Sequence, residues 1–278
     1  MVRQMILLGA SLALAWVAPA SPLFAESGSA SLFAAHRGGS LLWPENSLLA
    51  FRNAVALGAD FIEFDVHLSK DGEVVVIHDP TLGRTTTGQG PVRAHTLAEL
   101  FTLRLKDHTG AVGEERIPTL DEVATIAARG KRRMLLEIKV DEHGHRYPGI
   151  EEKVVAILER YAMTGSTVVM AFETETWRRV RELRPDITAG ALYSTRALAL
   201  TGSTVSRELA EAAKAGVRFV GLQQALVDSE TVALARSAGI LLGVFTVNEA
   251  GALRRFINEN VGVVITDRPD LAKMLLNR

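Results

Sequence analysis

From Ser31 onward, short β-branched or apolar segments alternate with longer amphipathic ones, and this alternation limits the possible folds more than any other feature. It predicts nine strands: Leu32–Ala35, Ala59–Val66, Val74–His78, Arg133–Lys139, Thr167–Phe172, Ile187–Leu192, Val217–Leu222, Ile240–Thr246 and Gly262–Thr266. It predicts helices between most of them: Ser47–Leu57, Leu120–Arg129, Ile150–Tyr161, Glu175–Leu183, Val205–Ala215, Ser229–Ala238, Glu249–Asn258 and Asp270–Leu276. Glycines that could end helices on a left-handed residue precede several strands: Gly58, Gly130, Gly165, Gly216 and Gly239. This order is typical of βα units in a parallel sheet.

Such a sheet can stay open, as in a doubly wound fold, or close into a barrel. Residues 1–25 have the features of a removable leader, and their loss from the 278-residue chain leaves 253 residues. Eight units of about 32 residues fill that length, and a barrel of eight βα units needs roughly 250 residues. We therefore expect an α/β fold, a (β/α)8 TIM barrel, as one domain over residues 26–278.

The N-terminal segment differs in composition from the rest of the chain. Arg3 is its only charge, the run from Met5 to Ala18 is almost wholly apolar, and Ala18-Pro19-Ala20 and Leu23-Phe24-Ala25 follow it. A positive start, an apolar run of about 7–15 residues and a small-residue cleavage site indicate a secretory signal peptide. The run is shorter than the roughly 20 residues that span a bilayer. We expect residues 1–25 to be cleaved, after Ala20 or Ala25, and the protein to be periplasmic or secreted; a retained anchor is the alternative.

The least regular part of the chain is residues 79–118. This short insertion after the second barrel strand contains a run rich in threonine and glycine, Thr85–Pro91, and a short apolar run, Leu97–Leu105. Irregular segments of this length within a compact domain are often functional. A surface loop without a function is the other interpretation.

The composition excludes several classes of protein. The chain contains no cysteine, which rules out disulfides, thiolate zinc sites and cysteine nucleophiles. Its formal net charge of −1 offers no basic excess to replace counterions, so we expect no binding of nucleic acid. Because 47% of the residues are hydrophobic, the chain is globular rather than disordered, and packing must supply its stability.

Charged side chains occur at the strand ends where a TIM barrel carries its chemistry. Residues two apart on a strand project from the same face, so Glu63 with Asp65, and Glu137 with Lys139, form two inward pairs. Ionised groups at a barrel end are costly unless they are paired or bound to a cation. Three carboxylates that converge, Glu63, Asp65 and Glu137, suit one hard divalent ion, Ca²⁺ or Mg²⁺.

Two histidines and two further cations belong to the same set of strand ends. His36 and Arg37 follow the first strand, and His78 ends the run after the second. Arg37 and Lys139 supply positive charge that a phosphate could meet beside a metal ion. Histidines titrate near neutral pH and can exchange protons with an attacking and a leaving oxygen. These residue types indicate phosphoryl transfer or phosphodiester cleavage.

A series of motifs in this order resembles the glycerophosphodiester phosphodiesterase family. The motifs extend from residue 36 to residue 270, nearly the whole of the chain after the leader. They are His36-Arg37-Gly38, Pro44-Glu45-Asn46-Ser47, Gly58-Ala59-Asp60 with Glu63-Phe64-Asp65, Lys70-Asp71-Gly72, His78-Asp79, Leu82-Gly83-Arg84-Thr85-Thr86, Ile117-Pro118-Thr119, Glu137-Ile138-Lys139, Thr246-Val247-Asn248 and Thr266-Asp267-Arg268-Pro269. The sequence departs from the family at Ser47 and Ser69, where threonine is more usual, and at Phe245, where tryptophan is frequent.

The resemblance implies a metal-dependent hydrolase that cuts a small-molecule glycerophosphodiester into an alcohol and sn-glycerol 3-phosphate. It implies that His36 and His78 are catalytic, and that the insertion forms a small lobe over the site. It further implies that Glu63, Asp65 and Glu137 hold the metal ion and that Arg37 and Lys139 bind the phosphate. The nucleophile is either water or the glycerol 2-hydroxyl, through a cyclic phosphate.

Two other functions remain open at this stage. A relative of the same superfamily could act on lysophospholipid or sphingolipid head groups, for which Trp43, Phe172 and Phe245 would offer an apolar mouth. A non-catalytic barrel that binds a phosphate ligand would be expected to lack one of the histidines or carboxylates. Of the other histidines, we expect His143 and His145 in a solvated loop, and we favour a structural place for His67.

Overall fold

The computed structural model describes residues 31–277, in which nine strands and ten α-helices follow one another. The strands are β1 (Leu32–Ala35), β2 (Phe61–Leu68), β3 (Val74–Val76), β4 (Arg133–Ile138), β5 (Thr167–Ala171), β6 (Thr188–Tyr193), β7 (Phe219–Gln223), β8 (Leu241–Phe245) and β9 (Val263–Thr266). The helices are α1 (Leu48–Leu57), α2 (Leu97–Phe101), α3 (Leu120–Gly130), α4 (Ile150–Arg160), α5 (Thr174–Leu183), α6 (Thr195–Thr201), α7 (Val205–Lys214), α8 (Ser229–Ser237), α9 (Ala250–Asn258) and α10 (Pro269–Leu275). The predicted leader, residues 1–25, lies outside the described residues.

Eight parallel strands close into a barrel, which confirms the predicted (β/α)8 fold. The strand order is β1-β9-β8-β7-β6-β5-β4-β2, and the pairing of β1 with β2 completes the ring. Strand β1 is short and meets β2 only at Phe61 and Ile62. Beyond that point the free edge of β2 pairs with β3, which runs antiparallel to it, with Val66 opposite Val76. This β2–β3 hairpin leads into the insertion.

Side-chain caps define where several helices begin. Ser47 accepts a hydrogen bond from the backbone N–H of Ala50 and so starts α1. Thr119 and Glu122 form a reciprocal capping box at the start of α3. Each such cap satisfies a backbone donor that the helix itself cannot pair, and it contributes about 1 kcal/mol.

The predicted glycine ends are correct for three helices and wrong for two. Gly58, Gly216 and Gly239 have positive φ values of 92°, 73° and 67°. After α3 and α4 the left-handed residues are instead Lys131 and Ala162, not Gly130 and Gly165. Gly130 instead allows α3 to pack closely on α1, since a Cβ atom at residue 130 would lie 2.6 Å from Cγ1 of Val55 in α1.

The hydrophobic core has two layers. The larger lies between the strands and the helices and includes Phe51, Phe64 and Phe256. The smaller fills the barrel interior around the buried ring of Phe219. That ring has room because Gly190 and Gly243 face it from the neighbouring strands; Cβ atoms there would lie 2.9 Å and 2.6 Å from its carbons.

Within residues 79–118, the insertion has an apolar cluster of its own. Leu82, Val92, Leu100 and Leu105 pack there, together with Ile77 from the end of the β2–β3 hairpin. The short apolar run predicted in this segment contains helix α2. The sequence pattern did not predict α6, seven residues that begin with Thr195. No helix within residues 31–277 is long and apolar enough to cross a membrane.

The packing around Phe219 yields a test of the barrel interior. We expect Gly243→Ala to lower the free energy of unfolding by about 1–3 kcal/mol, because its methyl group overpacks the core against Phe219. Gly251→Ala in α9 is the matched control, because a Cβ atom there meets no heavy atom within 4 Å. The control should gain up to about 1 kcal/mol from its higher helix propensity.

Urea denaturation measures these effects. The double variant Gly243→Ala/Phe219→Leu should lose less stability than the sum of the two single variants, because the smaller side chain leaves space for the methyl group. Strictly additive losses would contradict this account of the interior.

Candidate active site

A cavity of about 550 Å³ opens at the carboxyl ends of the barrel strands. Six of the seven residues that the sequence singled out for the site line it: His36, Arg37, Glu63, His78, Glu137 and Lys139. The seventh, Asp65, is buried beside them, and its side chain is 1% exposed. The opposite wall comes from strands β5 to β9 and the segments that follow them, including the start of α6: Met170, Phe172, Leu192, Ser194, Thr195, Arg196, Gln223, Gln224, Phe245, Thr246 and Ile265.

Three buried carboxylates lie close together at the floor of the cavity. One oxygen from each of Glu63, Asp65 and Glu137 lies within 4.8 Å of the others. Burial, together with repulsion from Asp65 and Glu137, raises the pKa of Glu63 to about 8, although His36 and the backbone N–H of Arg37 favour its charged form. Because the protein alone leaves this negative charge poorly compensated, the group fits a hard divalent cation with oxygen ligands.

Two cations of the protein stabilise the charge of Asp65. The Nζ atom of Lys139 lies 3.6 Å from Asp65 Oδ1, and Nε of Arg37 lies 3.7 Å from Oδ2. Asn46 also donates to Oδ2 at 3.1 Å. Burial would raise the pKa of Asp65, but the charges of His78, Lys139 and Arg37 hold it well below its ordinary value.

Lys139 is shared between two of the carboxylates. Its Nζ also donates to Glu137 Oε1 at 2.7 Å. Burial would lower the pKa of Lys139, yet Glu137 and Asp65 raise it above its ordinary value, so the side chain stays charged. A buried lysine that remains an ammonium ion can meet an anionic ligand from the floor of the cavity.

A carboxylate from the last strand fixes the ring of His36. Asp267 Oδ1 lies 2.6 Å from His36 Nδ1, so the other ring nitrogen, Nε2, is left for the cavity, 3.9 Å from Glu63 Oε2. Ser40 and Asn248 also donate to Asp267. Burial would raise the pKa of Asp267, but the hydrogen bonds from His36, Ser40 and Asn248 lower it to about 2. Burial would lower the pKa of His36, yet Glu63 and Asp267 raise it overall.

A second carboxylate fixes His78 in the same way. Asp79 Oδ1 lies 2.7 Å from His78 Nδ1, and His78 Nε2 lies 3.3 Å from Nζ of Lys139. Arg84 of the insertion donates through Nε and one terminal nitrogen to Asp79, and through both terminal nitrogens to Glu45. Arg37 donates to the same Glu45 at 3.1 Å. Ion pairs therefore link His78 to Arg37 through the insertion.

The remaining histidines lie away from the cavity. His67 is buried, and its ring contacts Tyr147 and the backbone carbonyl of His78. Burial lowers the pKa of His67 to about 4, so the ring is neutral at neutral pH. His143 and His145 are on an exposed loop, as expected, beside Glu142 and Asp141.

The aromatic residues considered for a lipid head group divide between two places. Phe172 and Phe245 line the cavity and pack edge to face, with ring centroids 6.2 Å apart. Trp43 instead packs beside Gly39, where a Cβ atom would come within 3.0 Å of its ring. Of the three aromatic residues, only Phe172 and Phe245 therefore line the cavity.

Four charged residues that support the site were not predicted as site residues. Glu45, Asp79, Arg84 and Asp267 belong to the motifs, but the sequence assigned them no role. The motifs did contain a signal for a role in the site, because each of these charged residues lies in a segment that adjoins a strand. What the sequence could not show is the pairing, since Arg84 and Glu45 are 39 residues apart and His36 and Asp267 are 231 apart.

The fold and the cavity define a class of protein: a (β/α)8 barrel in which three carboxylates and two cations form a site that suits a phosphate ester. The chain belongs to the glycerophosphoryl diester phosphodiesterase family, whose model matches residues 36–271. It is 32% identical over 257 residues to a glycerophosphodiester phosphodiesterase of Bacillus subtilis, covering 86% of this chain and 84% of that protein. It is 34% identical over 241 residues to one from Caldanaerobacter subterraneus, covering 86% and 95%.

Solved structures agree with this family assignment. A phosphodiesterase of Oleispira antarctica, solved in complex with the product sn-glycerol-3-phosphate, superposes with a TM-score of 0.75 at 25% identity, covering 90% of this chain and 98% of that one. The protein is thus an enzyme with glycerophosphodiester phosphodiesterase activity. The alternative of a non-catalytic binding barrel is wrong.

Proposed function

We propose that the enzyme hydrolyses glycerophosphodiesters to an alcohol and sn-glycerol 3-phosphate, with one divalent ion, Ca²⁺ or Mg²⁺, held by Glu63, Asp65 and Glu137. The observation that supports this most strongly is the convergence of these carboxylates within 4.8 Å, beside two histidines fixed by carboxylates. The product complex of the Oleispira enzyme supports the choice of product. When bound, the metal ion supplies positive charge that stabilises negative charge on the phosphate in the transition state.

Arg37 and Lys139 bind and orient the phosphate. Both side chains line the cavity next to the carboxylates, and both keep their charge, since neighbouring carboxylates raise their pKa despite burial. Asp65 lies 3.7 Å from Nε of Arg37 and Glu45 accepts from a terminal nitrogen, so carboxylates hold the guanidinium at the cavity wall, where it can form a charge-assisted hydrogen bond with a phosphate oxygen. Such hydrogen bonds are about twice as strong as neutral ones.

The two histidines exchange protons with the reacting oxygens through Nε2. His36 Nε2 takes the proton of the nucleophile, whose oxygen forms the new bond to phosphorus. His78 Nε2 gives a proton to the alcohol oxygen as its bond to phosphorus breaks. Asp267 and Asp79 hold the opposite ring nitrogens, so each ring turns Nε2 toward the cavity; that of His78 lies 3.3 Å from Nζ of Lys139, a contact that it exchanges for the leaving oxygen. The nucleophile is water, or the glycerol 2-hydroxyl followed by hydrolysis of a cyclic phosphate.

A second candidate activity is hydrolysis at a lysophospholipid head group. The edge-to-face pair of Phe172 and Phe245 in the cavity wall favours it, because an apolar surface there could contact an acyl-bearing substrate. Product analysis on glycerophosphocholine and lysophosphatidylcholine separates the two activities. We expect the first substrate to be turned over faster; a preference for the second would replace the proposed function with the lysophospholipid activity.

We also propose that residues 1–25 direct export and are removed, so that the enzyme is periplasmic or secreted. The charge of Arg3, the apolar run and the small residues Ala18 and Ala20 at its end support this proposal. Mass analysis of the purified mature protein decides it, and an intact N-terminus would exclude cleavage.

Removal of the metal ion should abolish turnover. We expect a chelator to inactivate the enzyme and Ca²⁺ or Mg²⁺ to restore it. The same ion should raise the melting temperature, because an ion at 100 times its dissociation constant stabilises the folded state by about 2.7 kcal/mol. Glu63→Gln should weaken both effects, whereas Glu175→Gln, at an exposed position on α5, should change neither. Full activity in excess chelator would remove the metal ion from the proposal.

The proton donated by His78 matters most when the leaving alcohol is a poor leaving group. With glycerophosphocholine, we expect His78→Ala to lower kcat by about 10²–10⁴-fold. With a 4-nitrophenyl ester of glycerol phosphate, whose leaving group needs no proton, the loss should be much smaller. His36→Ala should lose activity on both substrates. Equal losses for His78→Ala on the two substrates would contradict its role as the acid.

A further inference from the structure

His67 is a buried histidine that the mechanism above does not use. It lies on β2 two residues beyond Asp65, its side chain is fully buried, and it does not line the cavity. Both of its ring nitrogens have partners. Nε2 lies 3.1 Å from the backbone carbonyl oxygen of His78, and Nδ1 lies 2.9 Å from the hydroxyl of Tyr147.

The partners determine which nitrogen carries the proton. A carbonyl oxygen can only accept a hydrogen bond, so Nε2 of His67 must donate to His78. In the neutral ring Nδ1 is then an acceptor, and the Tyr147 hydroxyl donates to it. Tyr147 is itself 6% exposed and packs edge to face on the histidine, with ring centroids 5.7 Å apart. The ring of His67 therefore has one orientation, fixed from both sides.

This hydrogen bond lies where regular strand pairing has ended. The antiparallel ladder between β2 and β3 ends at Val76, and the backbone N–H of Ile77 still donates to the carbonyl of Asp65 at 3.0 Å. At the next residue, His78, the side chain of His67 continues the attachment to β2. The same strand carries Glu63 and Asp65.

We propose that His67, held by Tyr147, is a positioning residue for His78. Asp79 fixes the imidazole of His78 from the side, and His67 fixes the backbone from which that imidazole projects. Together, Asp79 and His67 determine where Nε2 of His78 lies relative to the carboxylates of Glu63 and Asp65 on β2. The inference rests on the proposed role of His78 as the proton donor.

The test removes the hydrogen bond and measures turnover of glycerophosphocholine by the full enzyme with its metal ion. We expect His67→Phe to lower kcat by about 10- to 100-fold with little change in KM, because small displacements of a catalytic group cost rates of this size. His67→Gln should recover most of the activity, since its amide nitrogen can donate to the same carbonyl. Tyr147→Phe should lower kcat in the same direction but less.

Two readouts separate positioning of His78 from a general structural effect. With the 4-nitrophenyl ester, whose leaving group needs no proton, the loss in His67→Phe should largely disappear, as for His78→Ala. In the His78→Ala background, His67→Phe should cause no further loss. His95→Phe is the matched control. The ring of His95 also forms a hydrogen bond with a backbone carbonyl, that of Pro91, but it does not line the cavity. The kcat of this variant should stay unchanged.

The outcomes are distinct. Unchanged kcat in His67→Phe, an equal loss on both substrates, or an additive loss in the His78→Ala background would overturn the positioning role and leave the proposed function intact. Near-normal turnover of His78→Ala itself would overturn the proposed role of His78 as the proton donor and the inference with it, while the hydrolysis of glycerophosphodiesters would stand. If His67→Phe does not fold, Tyr147→Phe, which loses a single oxygen atom, decides by the same comparison of substrates.

Discussion

Mutual repulsion among three buried carboxylates is the constraint on which the rest of the site depends. Glu63, Asp65 and Glu137 have oxygens within 4.8 Å of one another at the end of the barrel, where burial penalises charge. Lys139 and Arg37 compensate Asp65, while Glu63 keeps a raised pKa of about 8. An ionised Glu63 beside the other two carboxylates therefore needs additional positive charge, which a divalent cation with oxygen ligands would supply.

Barrel closure aligns one half of this site. His36 follows β1, which pairs with β9 on one side and with β2 on the other. Its ring is held by Asp267, directly after β9, and the neighbouring Arg37 N–H donates to Glu63 on β2 at 2.8 Å. The first contact crosses the seam where β1 meets β9, and the second joins the end of β1 to β2 on its other side. The geometry around His36 is thus a direct consequence of a closed ring, which an open doubly wound sheet would not provide.

Most of the fold and the core of the site could be predicted because they depend on local periodicity. Side chains two apart on a strand share a face, which is enough to place Glu63 with Asp65 at one end of the barrel. Helix α6 was missed because its seven residues, with Thr195 and Thr201 at the ends, carry no amphipathic repeat long enough to detect. Gly130 was assigned to a left-handed turn, whereas contact with Val55 explains its lack of a side chain; such a contact between helices leaves no local signal.

The contacts that could not be predicted are those that hold the other half of the site, around His78. Its segment leaves the sheet after β3, so no regular ladder positions it, and side chains distant in sequence do so instead. Arg84 of the insertion pairs with both Asp79 and Glu45, and His67 with Tyr147 holds the backbone. The position of His36 therefore depends on the closure of the barrel and that of His78 on a hairpin and an insertion. Because the insertion is not part of the βα repeat, its sequence can vary in length or composition while the barrel is kept, provided that an arginine still reaches both carboxylates.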